Sequence, residues 1–175
     1  MLYVLFWVSA ETQKTVVYLR DMNDCIFCKI VAGEIPSHKV WESKTHLAFL
    51  TIFPNTDGAT VVIPKKHYPS YALQLPDDAL LSLMQATKIV AEKLDKALHD
   101  VGRTALVFEG FGIDHVHAKL FPMHGTKDMG TWKPIKSNID HFFKKYEGYI
   151  SSHDGKRADD KELALLAAKI RAALT

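Results

Sequence analysis

Cysteine is scarce in this 175-residue chain, which contains two copies, Cys25 and Cys28, so a fold held together by several disulfide bonds is excluded. Their CxxC spacing is too short to cross-link distant parts of a fold. It favours a reducing compartment, which we expect to be cytoplasmic, and a metal-binding or redox role. Apolar runs are also short, and none reaches the roughly 18 residues that a membrane-spanning helix needs. We therefore expect no membrane span.

The chain also has no large excess of positive or negative residues, because it contains 22 Lys and Arg and 20 Asp and Glu. This balance argues against a dedicated nucleic-acid-binding or membrane-surface protein, so any anionic partner must be met by a local group of cations. The chain does contain 47% hydrophobic and 24% charged residues. That composition predicts one globular domain with a sizeable core.

Residues 1–21 stand apart from this pattern. Their opening stretch "MLYVLFWVSA" is apolar but lacks the basic residues that begin a signal peptide, and Met22 offers a second plausible start. We interpret residues 1–21 as an N-terminal extension, such as an over-long start assignment. An added edge strand and a weak export signal are the alternatives.

The middle of the chain alternates between strand and helix patterns. The stretches "HKVWES", "HLAFLTIF" and "GATVVIPKKH" are typical of an antiparallel meander. Pro76, Asp77 and Asp78 then mark the start of a helix whose apolar positions keep helical spacing from Leu80, through Leu81 and Met84, to about His99. Two further strands, "RTALVFEG" and "DHVHAKLFP", are joined by a glycine-rich turn. Together these elements predict an α+β fold.

After Pro122 the composition becomes polar and rich in turns, and a last helix pattern follows in "RADDKELALLAAKIRAAL". Its apolar stripe must be buried, and such a helix usually docks on its own domain. We therefore expect a core domain over residues 22–124 and an elaboration of that core over residues 125–175. The stripe consists of Leu163, Leu166, Ala167, Ile170 and Leu174.

The stretch "IDHVHAKLFP" carries the most distinctive pattern. Alternation along a strand places His115, His117 and Lys119 on one face and apolar residues on the other. A single histidine here would usually be a half-exposed strand residue. Two histidines that follow a glycine turn, in a chain that also has a CxxC, favour a functional site.

At this point the sequence resembles the histidine triad (HIT) family of nucleotide hydrolases and transferases, over about residues 24–122. The resemblance is carried by "CIFCKIVAGEIPSHKVWE", by "LAFL" followed by "VVIPKKH", and by "HVHAKLFP", where the family alternates histidine with apolar residues. The third histidine of that alternation is replaced by Lys119. The resemblance implies a five-stranded antiparallel sheet with one long helix, here with a C-terminal helical extension.

The same resemblance implies a zinc ion held by Cys25, Cys28, His67 and His115. Two thiolates and two imidazoles close a tetrahedral site and leave no position for water. The ion would therefore be structural and would tie the N-terminal loop to the sheet. The alternative, a thioredoxin-like redox pair, lacks the strand-then-helix context of that motif.

For activity, the resemblance makes His117 the nucleophile that attacks the α-phosphorus of a nucleotide and carries the nucleotidyl group until water releases it. Lys119 is hypothesised to clamp the phosphate, and the alternative is a surface lysine left after function decayed. Some of the apolar positions in the implied nucleotide slot are as readily explained as ordinary core. That slot comprises Ile26, Phe27, Ile30, Phe49, Thr51, Ile52 and Val61.

Several positions depart from the family pattern. Thr51 stands where an acidic ribose ligand is usual, Phe108 replaces an asparagine, and Ala59 replaces a histidine. The turn over residues 110–114 is also too short for the usual phosphate loop. Either the ribose and phosphate contacts are rebuilt, or the substrate differs, or activity is lost. For rebuilt contacts, Asp114, Glu109 and Lys119 are the nearest polar groups in the sequence, and His124 or the lysines that follow it could fold over the site.

The leading hypothesis is a nucleotide hydrolase or transferase acting on a nucleoside phosphoramidate, a dinucleoside polyphosphate or a similar substrate. A catalytically weak nucleotide-binding sensor or partner protein is the alternative.

A homodimer is also implied by the resemblance. The apolar surface of the residue 77–99 helix is the candidate contact, unless the C-terminal helix covers that surface instead.

Overall fold

The structure is a computed structural model that describes residues 24–128 and 155–173. The described chain contains one antiparallel sheet and three α-helices, with a single 3₁₀ turn before the long helix. In chain order the elements are α1 (Ile26–Ala32), β1 (Lys39–Glu42), β2 (His46–Leu50), β3 (Thr60–Pro64), the 3₁₀ turn (Ala72–Gln74), α2 (Asp77–Ala97), β4 (Thr104–Val107), β5 (Ala118–Pro122) and α3 (Asp160–Ala172).

The five strands pair in the order β1-β2-β3-β5-β4, and every pairing is antiparallel. This confirms the predicted α+β fold. Every residue of β2 and β3 is buried, because both faces of the sheet centre are covered. Successive side chains along β2 point to opposite faces of the sheet and enter different clusters. Ala48 packs in the cluster that includes α2 and α3, whereas Phe49 packs with α1.

The helix α2 begins where the sequence predicted, with Asp77 and Asp78 in its first turn, where carboxylates favour the positive end of the helix dipole. It ends at Ala97, two residues before the expected His99. The predicted core stripe was wrong at Leu81 and Met84, which are exposed. The stripe was right at Val90 and Leu94, which are buried in the core together with Leu83 and Ala86.

The C-terminal helix α3 packs on the same core, as its apolar stripe predicted. Asp159 caps it by accepting hydrogen bonds from the backbone N–H groups of Lys161 and Glu162, which otherwise lack intrahelical acceptors. Leu163, Ala167 and Ile170 are buried in the cluster formed by α2 and the sheet. Leu174, the predicted N-terminal extension 1–21 and residues 129–154 lie outside the described residues.

The segment expected to be a loop after Cys25 is the helix α1, so that expectation was wrong. Phe27 and Ile30 bury one side of it against β2 and β3. It ends at Gly33, whose φ of 80° is a left-handed conformation that glycine adopts without steric cost. No helix in the described parts of the chain is long and apolar enough to cross a bilayer.

Candidate functional site

A cavity of about 370 Å³ lies between α1, β2, β3 and the glycine turn that precedes β5. Its size falls within the range of small-molecule sites, and its walls are mainly apolar. His117 and Lys119 line it. The structure also places every residue of the expected nucleotide slot on its wall: Ile26, Phe27, Ile30, Phe49, Thr51, Ile52 and Val61.

Further lining residues were not anticipated from the sequence. Apart from Leu50 at the end of β2, they lie in connections whose paths depend on tertiary packing: the segment after α1, the segment after β2, and the turn between β4 and β5. Phe111 could have been suspected, because it is an aromatic residue flanked by Gly110 and Gly112, which both have positive φ. The added wall residues are Ile35, Pro36, Ser37, Leu50, Phe53, Phe111, Gly112 and Ile113.

His117 is 4% exposed and lies just before β5, so the strand begins later than the sequence suggested. Its Nδ1 lies 2.7 Å from the carbonyl oxygen of His115. Because a carbonyl can only accept, Nδ1 carries the proton and Nε2 of the neutral ring keeps its lone pair. The Phe27 ring meets the imidazole edge to face at a centroid distance of 5.3 Å, which further restricts the ring.

Burial lowers the pKa of the His117 imidazole, because the desolvated ring disfavours a positive charge. The carbonyl of His115 acts in the opposite direction and raises the pKa, while the nearby Lys119 ammonium lowers it. The Glu109 carboxylate has a small raising effect. The balance favours the neutral imidazole, which is the nucleophilic form.

Lys119 follows two residues after His117 and pairs with Glu109 across the β4–β5 connection. The Lys119 Nζ lies 2.9 Å from Glu109 Oε2, and the two side chains are only 22% and 12% exposed. The lysine is therefore held in an ion pair at the wall of the cavity, rather than extended into solvent as a surface residue would be.

The metal ligands expected from the resemblance lie together at the inner side of α1. The ligand atoms of Cys25, Cys28, His67 and His115 all lie within 4.8 Å of one another. Three sulfur-to-nitrogen distances, from Cys25 to His115, from Cys28 to His67 and from Cys28 to His115, are 3.4, 3.4 and 3.6 Å. In a tetrahedral site with Zn–S of about 2.3 Å and Zn–N of about 2.1 Å, such ligands lie about 3.6 Å apart. The cluster thus fits a zinc ion.

The second nitrogen of His115 supports this fit. Its Nε2 lies 2.9 Å from the carbonyl oxygen of Pro64, so Nε2 carries the proton and Nδ1 faces the thiols with its lone pair. Burial lowers the pKa of His115 to about 4, and burial together with the neighbouring Cys25 raises the pKa of the Cys28 thiol. A cation would compensate the cost of ionising thiols in this buried position.

The positions that depart from the family pattern lie in different surroundings, and only some of them are at the cavity. Thr51 lines the cavity, where its Oγ1 accepts a hydrogen bond from the Phe53 N–H at 3.2 Å and keeps its own proton available for donation. Asp114 instead accepts a hydrogen bond from the Ser70 N–H at 2.8 Å. Phe108 packs against the cluster on the other face of the sheet, and Ala59 is buried.

The expectation that His124 folds over the site was wrong. Its Nδ1 lies 3.0 Å from Asp100 and its Nε2 lies 3.0 Å from the carbonyl oxygen of Asp57, so both ring nitrogens are engaged away from the cavity. Lys127 is described and exposed, whereas Lys133 and Lys136 lie outside the described residues.

The sequence and fold were compared with known proteins. The HIT domain family model matches residues 32–125. An uncharacterised HIT-like protein of Methanocaldococcus jannaschii is 35% identical over 133 residues, which cover 71% of this chain and 99% of that protein. The adenosine 5'-monophosphoramidase of Saccharomyces cerevisiae is 31% identical over 133 residues, covering 75% of this chain and 84% of that enzyme.

A solved structure gives the same result at the level of fold. The hypothetical histidine triad nucleotide-binding protein of Sulfolobus tokodaii superposes with a TM-score of 0.63 and 27% identity, covering 85% of this chain and 91% of that one. The family model matches more than half of the chain, and the matched range extends from β1 to β5 and includes α2. The chain therefore belongs to the HIT domain family.

Proposed function

We propose that the protein is a nucleotide hydrolase or transferase in which His117 attacks the α-phosphorus of a nucleotide. The observation that carries the proposal is the position of His117 at the wall of an apolar cavity, with Nδ1 committed to a carbonyl and Nε2 left as the basic nitrogen. The phosphoramidase activity named for the yeast relative supports nucleotide processing in this family.

The chemistry follows from the geometry in two displacement steps. Nε2 of His117 forms a bond to the α-phosphorus, and the bond from phosphorus to the leaving group breaks, with the leaving group taking a proton from solvent or from a site donor. Water then forms a bond to phosphorus, loses its proton to solvent, and the phosphorus–nitrogen bond breaks. The lone pair returns to Nε2, so the His117 imidazole ends neutral as it began.

The apolar walls supply binding for a nucleobase. Phe27 and Phe49 meet edge to face at a centroid distance of 5.7 Å, and they form a fixed aromatic wall. Aromatic and aliphatic surfaces contact a base on its faces, whereas the Thr51 hydroxyl can donate a hydrogen bond to a ribose or base oxygen.

Zinc has a structural place in this proposal. Cys25, Cys28, His67 and His115 would hold it, and the metal–ligand bonds would tie the start of α1 to the segment after β3 and to the segment before β5. Because His115 is two residues from His117, holding His115 in place also fixes the carbonyl that orients the His117 ring. The ion itself takes no part in the displacement steps.

The test is turnover with a panel of nucleoside phosphoramidates, dinucleoside polyphosphates and nucleotide sugars. The proposal expects release of a nucleoside monophosphate from at least one class. If nucleotides bind and none is turned over, a nucleotide-binding sensor or partner protein takes the place of the enzyme. That second function is favoured by one observation, the presence of Lys119 where the family pattern has its third histidine.

Substitution of Lys119 by alanine is expected to lower kcat by roughly 10²-fold, because the ammonium stabilises charge that gathers on the phosphoryl oxygens in the transition state. Steady-state kinetics checks this, with zinc content and melting temperature measured on the same samples. Lys88→Ala, at a side chain 78% exposed on α2, is the matched control and should have normal kinetics. Equal rates for Lys119→Ala and the wild type would refute the clamp.

We also propose a homodimer, although α3 covers part of the surface first considered for the contact. The remaining exposed apolar residues of α2 include Leu81, which is 62% exposed, and Met84. Light scattering should report twice the chain mass at micromolar concentration, and Leu81→Lys should shift it towards one chain mass. Leu165→Lys, at an exposed position on α3, is the control. A monomeric wild type would contradict the proposal.

A further inference from the structure

Glu109 contacts Lys119 near the end of the cavity that contains His117. Lys119 lines the cavity, whereas Glu109 is not part of its wall within the described residues. Its carboxylate contacts the lysine, with Nζ of Lys119 2.9 Å from Oε2 of Glu109.

The strand register explains how the pair forms. In the antiparallel pairing of β4 with β5, Val107 lies opposite Lys119. Glu109 follows Val107 by two residues, in the connection just beyond the end of β4, and its carboxylate reaches back to Lys119 Nζ. Lys119 and His117 are themselves two residues apart, and both line the cavity.

We propose that Glu109 is a positioning residue that holds the Lys119 ammonium beside His117, in the place where it meets the phosphoryl oxygens. The inference rests on the proposed function, because it assigns Glu109 a role in the same reaction. A lysine side chain has many rotamers, and a fixed carboxylate selects those that keep Nζ at the cavity wall. An ammonium has three N–H donors, so it can keep one on Glu109 while others turn to a bound phosphate.

The low exposure of the pair explains why the partner is needed. With 22% and 12% of the two side chains exposed, removing one charge leaves the other poorly hydrated and without its counterion. The lysine would then turn towards water and away from the nucleophile. A misplaced charge loses transition-state stabilisation while ground-state binding by the apolar walls remains.

The experiment compares kcat and KM for the wild type, Glu109→Gln, Lys119→Ala and the double variant. Glutamine keeps the shape of glutamate and removes the charge. The expected result is a fall in kcat of roughly tenfold for Glu109→Gln with KM changed less, and no additional fall when Glu109→Gln is added to Lys119→Ala. Non-additivity of this kind shows that Glu109 acts through Lys119, which a purely structural role would not produce.

Two further variants separate this role from folding. Glu109→Asp keeps the charge on a shorter side chain, so it should retain the fold and recover part of the lost kcat. Glu42→Gln removes the charge of a carboxylate on β1 that pairs at 2.6 Å with Lys65, just after β3, and should leave kcat unchanged because neither residue lines the cavity.

The outcomes distinguish this inference from the proposed function. Wild-type protein that turns over no nucleotide overturns both. Normal kcat in Glu109→Gln overturns the positioning role alone, while turnover through His117 stands. The same fall for Glu109→Gln with or without Lys119 also overturns the role, because Glu109 would then act independently of the lysine.

Discussion

Replacing His117 by asparagine is expected to reduce turnover by roughly 10⁴-fold or more, because asparagine offers no nucleophilic nitrogen to form the covalent intermediate. The amide of asparagine can still donate to a backbone carbonyl, so the variant should keep its fold, its zinc and its affinity for nucleotide. Single-turnover kinetics measures the loss, and equilibrium binding shows that the cavity is intact.

His99→Asn provides the control for the same chemical change. His99 is exposed near the end of α2 and contributes nothing to the cavity wall, so its variant should match the wild type. Full activity in His117→Asn would mean that another group attacks phosphorus, and the assignment of the nucleophile would fail.

Replacing Cys28 by serine is expected to lose the metal and to lower the melting temperature by about 10 °C or more, because the energy of binding zinc is also folding energy. A serine hydroxyl does not supply the anionic sulfur that the site needs. Wild-type protein purified without added metal should contain about one zinc per chain by elemental analysis, in line with one tetrahedral site.

A chelator gives the matching measurement without a substitution. It should lower the melting temperature of the wild type towards that of Cys28→Ser and leave the variant almost unchanged. Zinc-free wild-type protein with an unchanged melting temperature would contradict a structural ion at Cys25, Cys28, His67 and His115.

The sheet and the long helix were predictable because their signals are local. Short, nearly continuous apolar runs defined β2 and β3, and Pro76 with two aspartates marked the start of α2. The helix α1 was missed because it has only seven residues and no side-chain cap at Cys25, so Gly33 at its end was the one local indication. The exposure of Leu81, which the helical spacing did not predict, depends on how α3 and the sheet share the surface of α2.

The candidate site was predictable to the extent that the family resemblance assigns positions. The metal cluster and the cavity wall have the expected composition, but Ser37 and Phe111 reach the cavity through connections whose course depends on packing. Glu109 and Lys119 could be named from the sequence as polar neighbours of the site. Their ion pair could not, because it depends on the register of β4 against β5.

The most direct test of the central claim is mass spectrometry of the protein quenched during turnover at alkaline pH, where a phosphorus–nitrogen bond to histidine survives. The account predicts a mass increase of one nucleoside monophosphate on the wild-type chain, located on His117 by peptide mapping, and no increase in His117→Asn. Rapid turnover without any adduct, or an adduct on a residue other than His117, would contradict it.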